Sequence, residues 1–88
     1  MTDLNGKNVV VMGGTSGIGL ATAKAAQKAG ANVWCAGRTQ ENIEAASTAL
    51  SNAQFRKLDT HDVAGLEALF AEVGQVDHIV AAATGANR

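Results

Sequence analysis

Val11-Met12-Gly13-Gly14-Thr15-Ser16-Gly17-Ile18-Gly19 decides the fold, because a β-branched run enters it and a helical pattern leaves it. Lys7 to Met12 (K-N-V-V-V-M) lies between Gly6 and Gly13 and reads as a strand buried on both faces. From about Ser16 to Ala29 the residues Ile18, Ala21, Ala25 and Ala29 recur at helical spacing, and Gly30 supplies a C-terminal cap. A glycine turn between strand and helix has a physical use. Holding a phosphate at a helix N-terminus requires outward-facing backbone N–H groups, a turn that tolerates φ > 0, and no side chain in the way. A tight turn without a ligand is the competing reading, and the strand–turn–helix context weighs against it.

Outward from this turn the same alternation repeats. Asn32 to Ala36 reads as a second strand, and Thr39 caps a helix whose Ile43, Ala46 and Leu50 share one face. Gln54 to Leu58 gives a third strand. A segment from near Asp62 sets Val63, Leu66, Leu69 or Phe70, and Val73 on one side before Gly74, and Val76 to Ala82 gives a fourth strand. Strands alternating with helices connect in parallel through right-handed crossovers. The expectation is therefore an α/β, doubly wound parallel sheet of Rossmann type, partial, with four strands and three helices in the order 3-2-1-4. Its fourth strand, with Ile79 and Val80, would keep an uncovered edge. That edge would suit a second copy of the chain or a missing C-terminal half.

Composition sets the outer limits. The 88 residues suffice for one compact unit, expected over residues 1–88 as a single dinucleotide-binding segment. Alanine supplies 18 residues, each adding little apolar area, so the large-residue core is thin. A net charge of −1 with interspersed signs offers no basic stripe to nucleic acid and no cationic patch to a membrane. Cys35 is the single cysteine, which excludes an internal disulfide and a thiol-pair metal clamp and fits a reducing cytoplasm. No stretch approaches the ~20 apolar residues of a membrane span, and no signal peptide is expected at the N-terminus. His61 and His78 lack the partners of a metal site and read as surface histidines, and Trp34 reads as core. Lys24 and Lys28 read as a solvated helix face.

The glycine spacing, Gly-x-x-x-Gly-x-Gly from Gly13 to Gly19, differs from the Gly-x-Gly-x-x-Gly of most dinucleotide enzymes. The run G-G-T-S-G-I-G, preceded by L-N-G-K-N-V-V-V and followed by A-G-R, resembles the short-chain dehydrogenase/reductase family over essentially the whole chain. Met12 stands where that family usually has Thr, and its Asn-Asn-Ala-Gly appears as Ala81-Ala82-Ala83-Thr84, without the side-chain hydrogen bonds that asparagine makes. The resemblance implies an oxidoreductase cofactor site. Gly13, Gly17 and Gly19 would form the turn, Thr15 and Ser16 would face the adenosine side, and Ile18 the pyrophosphate. Asp59 would approach the adenine amino group beside Leu58, and Ala81, Ala82 and Ala83 would border the adenosine ribose through backbone atoms. A helix N-cap is an equally good and compatible role for Asp59.

Cofactor choice is read at the end of the second strand. An acidic residue roughly 20 positions beyond the glycine turn would bind the ribose 2′-hydroxyl of NAD and repel a 2′-phosphate. The chain instead has Ala36-Gly37-Arg38-Thr39, where Arg38 can fork onto a phosphate and Thr39 adds a hydroxyl. NADP(H) is the expected cofactor; a solvated Arg38 is the plain alternative.

The resembled family uses a tyrosine acid/base with a lysine four residues on and a nearby serine. This chain has no tyrosine, and no catalytic residue is assigned. Two readings follow: the NADP(H)-binding N-terminal portion of a reductase, or a stand-alone, non-catalytic binding or dimerisation module.

Overall fold

The computed structural model describes residues 4–13, 17–59 and 61–81. The order is β1 (Asn8–Met12), α1 (Gly17–Lys28), β2 (Asn32–Gly37), α2 (Gln40–Ala49), β3 (Gln54–Lys57), α3 (Val63–Val73) and β4 (His78–Ala81). All strand pairs are parallel and the sheet order is β3-β2-β1-β4, as the alternation of strand and helix patterns implied.

Because successive strand side chains point to opposite faces, β1 builds two cores at once. Val9 and Val11 join Val33 and Cys35 of β2 and Ala23 and Ala26 of α1 on one face. Val10 and Met12 join Ala36, Leu58, and Leu69 and Val73 of α3 on the other. Val10 and Val11 are wholly buried, and each such valine contributes roughly 1.5–3 kcal/mol, far more than the alanines around it. The β-branched run is thus the axis of the molecule. Trp34 lies half-buried against the α3-side cluster, its Nε1 buried without a partner among the described residues.

The inward face of α1 is a correction. Ile18, Ala21 and Ala25 are exposed, Ile18 at 71%, and Ala29 is only partly buried; Gly19, Ala23 and Ala26 face the sheet instead. Gly19 lacks a side chain, which lets the helix approach the strands closely. Val63 also departs from the expected stripe of α3: it is 65% exposed, whereas Leu69 and Val73 are buried and Leu66 and Phe70 pack at the cluster's margin. It occupies the first helical position, before the helix reaches the sheet.

The amino ends of the strands are tied together by backbone and side-chain bonds. Leu4 N–H donates to Ala29 (3.1 Å), Gly6 N–H to Gly30 (3.2 Å) and Asn32 N–H to Lys7 (2.8 Å). Asn8 N–H donates to the Asp77 carboxylate at 2.8 Å while Asp77 N–H donates to Asn8 at 2.9 Å, starting β4 at His78 rather than at Val76. Gly30 has φ of 100°, and a Cβ there would lie 2.9 Å from Asn5 Cα, so only glycine fits this crossing. Among the described residues no helix is long and apolar enough to cross a membrane.

Candidate functional site at the carboxyl ends of the strands

A parallel sheet delivers every strand's carboxyl end to one edge, and the neighbouring helices present their N-termini there. β1 leads into Gly13, β2 into Arg38 and Thr39, β3 into Leu58 and Asp59, and β4 ends at Ala81. Thus Gly13, Gly17, Ile18, Arg38, Thr39, Asp59 and Ala81 come to the same side of the molecule. Thr15, Ser16, Ala82 and Ala83 lie outside the described residues.

At both described ends of the turn the backbone has the geometry expected of glycine. Gly13 and Gly17 have φ of 82° and 57°, a region costly for residues bearing a Cβ. Gly13 N–H donates to Ala36 at 2.8 Å, which fixes the start of the turn against β2. Among the described residues, no atom outside its chain neighbours and its own helix backbone stands within 4 Å of where a Cβ on Gly17 would lie. The helix that follows begins with Gly17, Ile18 and Gly19 and carries no acidic residue in its first turn, leaving its positive end uncompensated.

Arg38 and Thr39 are exposed. Thr39 occupies the N-cap of α2, with φ −111° and ψ 125°, but its side chain makes no cap hydrogen bond; the expected hydroxyl cap is corrected, and that hydroxyl is left for another partner. Among the described residues Arg38 makes no hydrogen bond or ion pair. Its charge does reach Asp59, whose carboxyl is held below the ordinary value of 3.8. The backbone N–H of His61 is the first cause, followed by the His61 ring and then the charges of His61 and Arg38.

Leu58 and Asp59 separate into different jobs. Leu58 N–H donates to Gly37 at 2.7 Å and its side chain is buried with Leu69 and Val73, so it supports this edge from within the core. Asp59 accepts from His61 N–H at 2.9 Å and contacts His61 Nδ1 at 3.2 Å. The helix cap proper is Asp62, which accepts from Gly65 N–H at 3.0 Å. His61 is a surface histidine, 94% exposed in its side chain; its tie to Asp59 uses the Asp-x-His spacing at which an aspartate bonds the backbone two residues on. His78 is exposed on β4, away from this edge. Among the described residues no three His, Cys, Asp or Glu side chains form a metal-binding group.

A shallow hollow of about 180 Å³ lies elsewhere, between β3 and α3, with Arg56, Lys57, Gly65 and Glu72 on its walls. Arg56 pairs with Glu72 through two guanidinium nitrogens, so its cation is already matched.

Comparison with known proteins converges on one group. The sequence pattern of the family described as "short chain dehydrogenase" matches residues 7–88. The short-chain dehydrogenase/reductase prx4 of Penicillium rubens is 44% identical over 78 residues, covering 89% of this chain and 23% of that protein. A 3beta-hydroxysteroid dehydrogenase of Mediterraneibacter gnavus is 41% identical over 71 residues, covering 76% and 26%. Among solved structures, a short chain dehydrogenase/reductase family protein superposes with a TM-score of 0.79 at 34% identity, over 89% of this chain and 34% of the other. The 2-keto-3-deoxy-D-gluconate dehydrogenase of Streptococcus agalactiae gives 0.77 at 26% identity, covering 88% and 32%. The chain therefore spans about a quarter to a third of the length of these relatives, and it matches their N-terminal part.

Proposed function

The chain belongs to the short-chain dehydrogenase family, whose members bind a nicotinamide dinucleotide, and from that premise we propose that residues 1–88 hold NADP(H) at the strand ends, as the cofactor-binding N-terminal portion of an oxidoreductase. When bound, that group supplies or accepts the hydride exchanged with an alcohol or carbonyl. The fit rests on what stands open at the edge among the described residues: a guanidinium without a partner, a Thr39 hydroxyl that makes no cap bond, room beside Gly17 and a helix start without acidic residues. Gly13, Gly17 and Gly19 form the turn, with Ile18 at the pyrophosphate and Thr15 and Ser16 facing the adenosine side; Asp59 reads the adenine, and Ala81, Ala82 and Ala83 border the adenosine ribose through backbone atoms. Leu58 keeps that wall in place from within the core.

The single observation that carries the choice of NADP(H) is Arg38 exposed at the end of β2 with no acidic neighbour in Ala36-Gly37-Arg38-Thr39. A charge-assisted contact to the 2′-phosphate is worth about 1.5–3 kcal/mol, a ten- to hundredfold preference over NAD(H). Fluorescence titration of NADPH and NADH into the chain and into Arg38→Asp tests it. The substitution should reverse the preference; equal NADPH affinity in both proteins would remove Arg38 from the site.

One observation favours a second reading, a dinucleotide-binding module that associates through β4. Ile79 is 56% exposed although its register partner Val10 is wholly buried on the same sheet face. The remainder of a longer polypeptide or a second copy of the chain would cover it. Intact mass of the native protein separates the two: a stable species of 8.9 kDa supports the module, and a larger chain supports the oxidoreductase. A cytoplasmic setting, in which Cys35 stays reduced, belongs to both.

A further inference from the structure

We infer that His61 is a positioning residue for purine recognition: it holds one oxygen of the Asp59 carboxylate and leaves the other to accept the exocyclic amine of an adenine. This rests on the dinucleotide reading of the strand ends. Both contacts from His61 fall on the same atom, with Oδ1 receiving the backbone N–H at 2.9 Å and the ring Nδ1 at 3.2 Å. Among the described residues Oδ2 has no partner.

A carboxylate rotates over a broad range about its last torsion, so two donors on one oxygen remove a freedom that a binding event would otherwise have to remove. The aspartate is acceptor-only, so the Nδ1 that meets it is assigned the proton, and Nε2 faces solvent. The ring does not serve the core. His61 is 94% exposed in its side chain and Asp59 is 54% exposed, and pairs at such exposure add little to stability. What remains is orientation. The His61 backbone N–H, then its ring, and last the nearby Arg38 charge also keep this carboxyl ionised, so Oδ2 can only accept. It therefore suits the amino group of adenine and opposes the keto oxygen of hypoxanthine.

The test is a fluorescence titration of the full chain with NADPH and with the reduced nicotinamide hypoxanthine dinucleotide phosphate, in wild type, His61→Ala and His61→Asn. Wild type should prefer the adenine form on the order of tenfold, the loss of one charged hydrogen bond. His61→Ala should reduce that preference to about two- to threefold with an unchanged thermal midpoint. His61→Asn, whose amide N–H can donate from nearly the same place, should restore it. Full purine preference in His61→Ala, no restoration in His61→Asn, or NADPH binding by wild type without purine preference overturns the role of His61 and leaves the cofactor reading standing. A folded wild-type chain that binds neither dinucleotide overturns both.

Discussion

The amide of Gly13 donates to the carbonyl of Ala36 at 2.8 Å, carrying the β1–β2 ladder one residue past Met12 and bringing the glycine turn to the strand end that leads into Arg38. Two sequence features far apart in the chain, the turn and the arginine, are thereby set in fixed relation by one backbone bond.

The conformation this bond holds makes Gly13 intolerant of a side chain. Gly13 has φ of 82°, and an L side chain in the left-handed region costs about 1–2 kcal/mol. Gly13→Ala should lower the chain's stability by that amount, read as a shift of the urea midpoint at constant slope. An unchanged midpoint would mean that the turn is not held as described.

Gly65 in α3 tests packing against propensity. A Cβ there would stand 2.4 Å from Leu58 Cδ1 and 2.6 Å from Asp62 Oδ2. Alanine gains about 1 kcal/mol of helix propensity over glycine, but it must displace the buried Leu58, at about 1–3 kcal/mol, and the Asp62 cap, at about 1 kcal/mol. The losses win. Gly65→Ala should destabilise by roughly 1–3 kcal/mol in denaturant titration, and stabilisation would show that Leu58 and Asp62 move aside freely.

The strand order and the position of each element were legible because β-branched runs such as Val9 to Val11 and glycines such as Gly30 and Gly74 mark their own boundaries. The rotation of α1 was not. Alanines at 21, 23, 25, 26 and 29 let several faces pass for the apolar one, and large Ile18 drew the stripe toward itself. Lys24 and Lys28 follow Ala21 and Ala25 by three residues and so share their face, a signal that this side belongs to solvent. At the site, the side chains converging on the edge were legible from strand ends. The tie between Asp59 and His61 was hidden because it depends on a local turn rather than on any period.

Cys35 gives a prediction about reactivity. It is wholly buried between α1 and the sheet, and burial pushes its thiol from 9.0 up to about 11. A disulfide reagent at pH 8 should fail to label the folded chain and label it fully in guanidinium. Because the folded thiol keeps its proton to higher pH than the unfolded one, its contribution to stability is complete below about pH 9 and is lost as pH rises toward about 11. Equal labelling of folded and unfolded chain contradicts the burial.

Acid acts through Asp77. Its carboxyl is held below 3.8 chiefly by the Asn8 N–H, then by the Gln75 side chain. A carboxyl whose folded value is depressed stabilises above its unfolded pKa, and that stability disappears as pH falls through the folded value. Asp77→Asn should therefore be less stable than wild type at pH 7, with the gap between their urea midpoints narrowing below about pH 4. A gap that persists undiminished at low pH would assign the difference to packing rather than to charge.

Whether the dinucleotide lies across the carboxyl ends of the strands can be followed through the backbone amide resonances of the isotope-labelled chain as NADPH is added. Saturable shifts concentrated at Gly13, Gly17 to Gly19, Arg38, Thr39 and Asp59 are predicted, with the amino-end residues Asn8, Asn32 and Asp77 unmoved. Shifts confined to the hollow beside Arg56 and Glu72, or a folded chain whose spectrum does not respond, would contradict that placement.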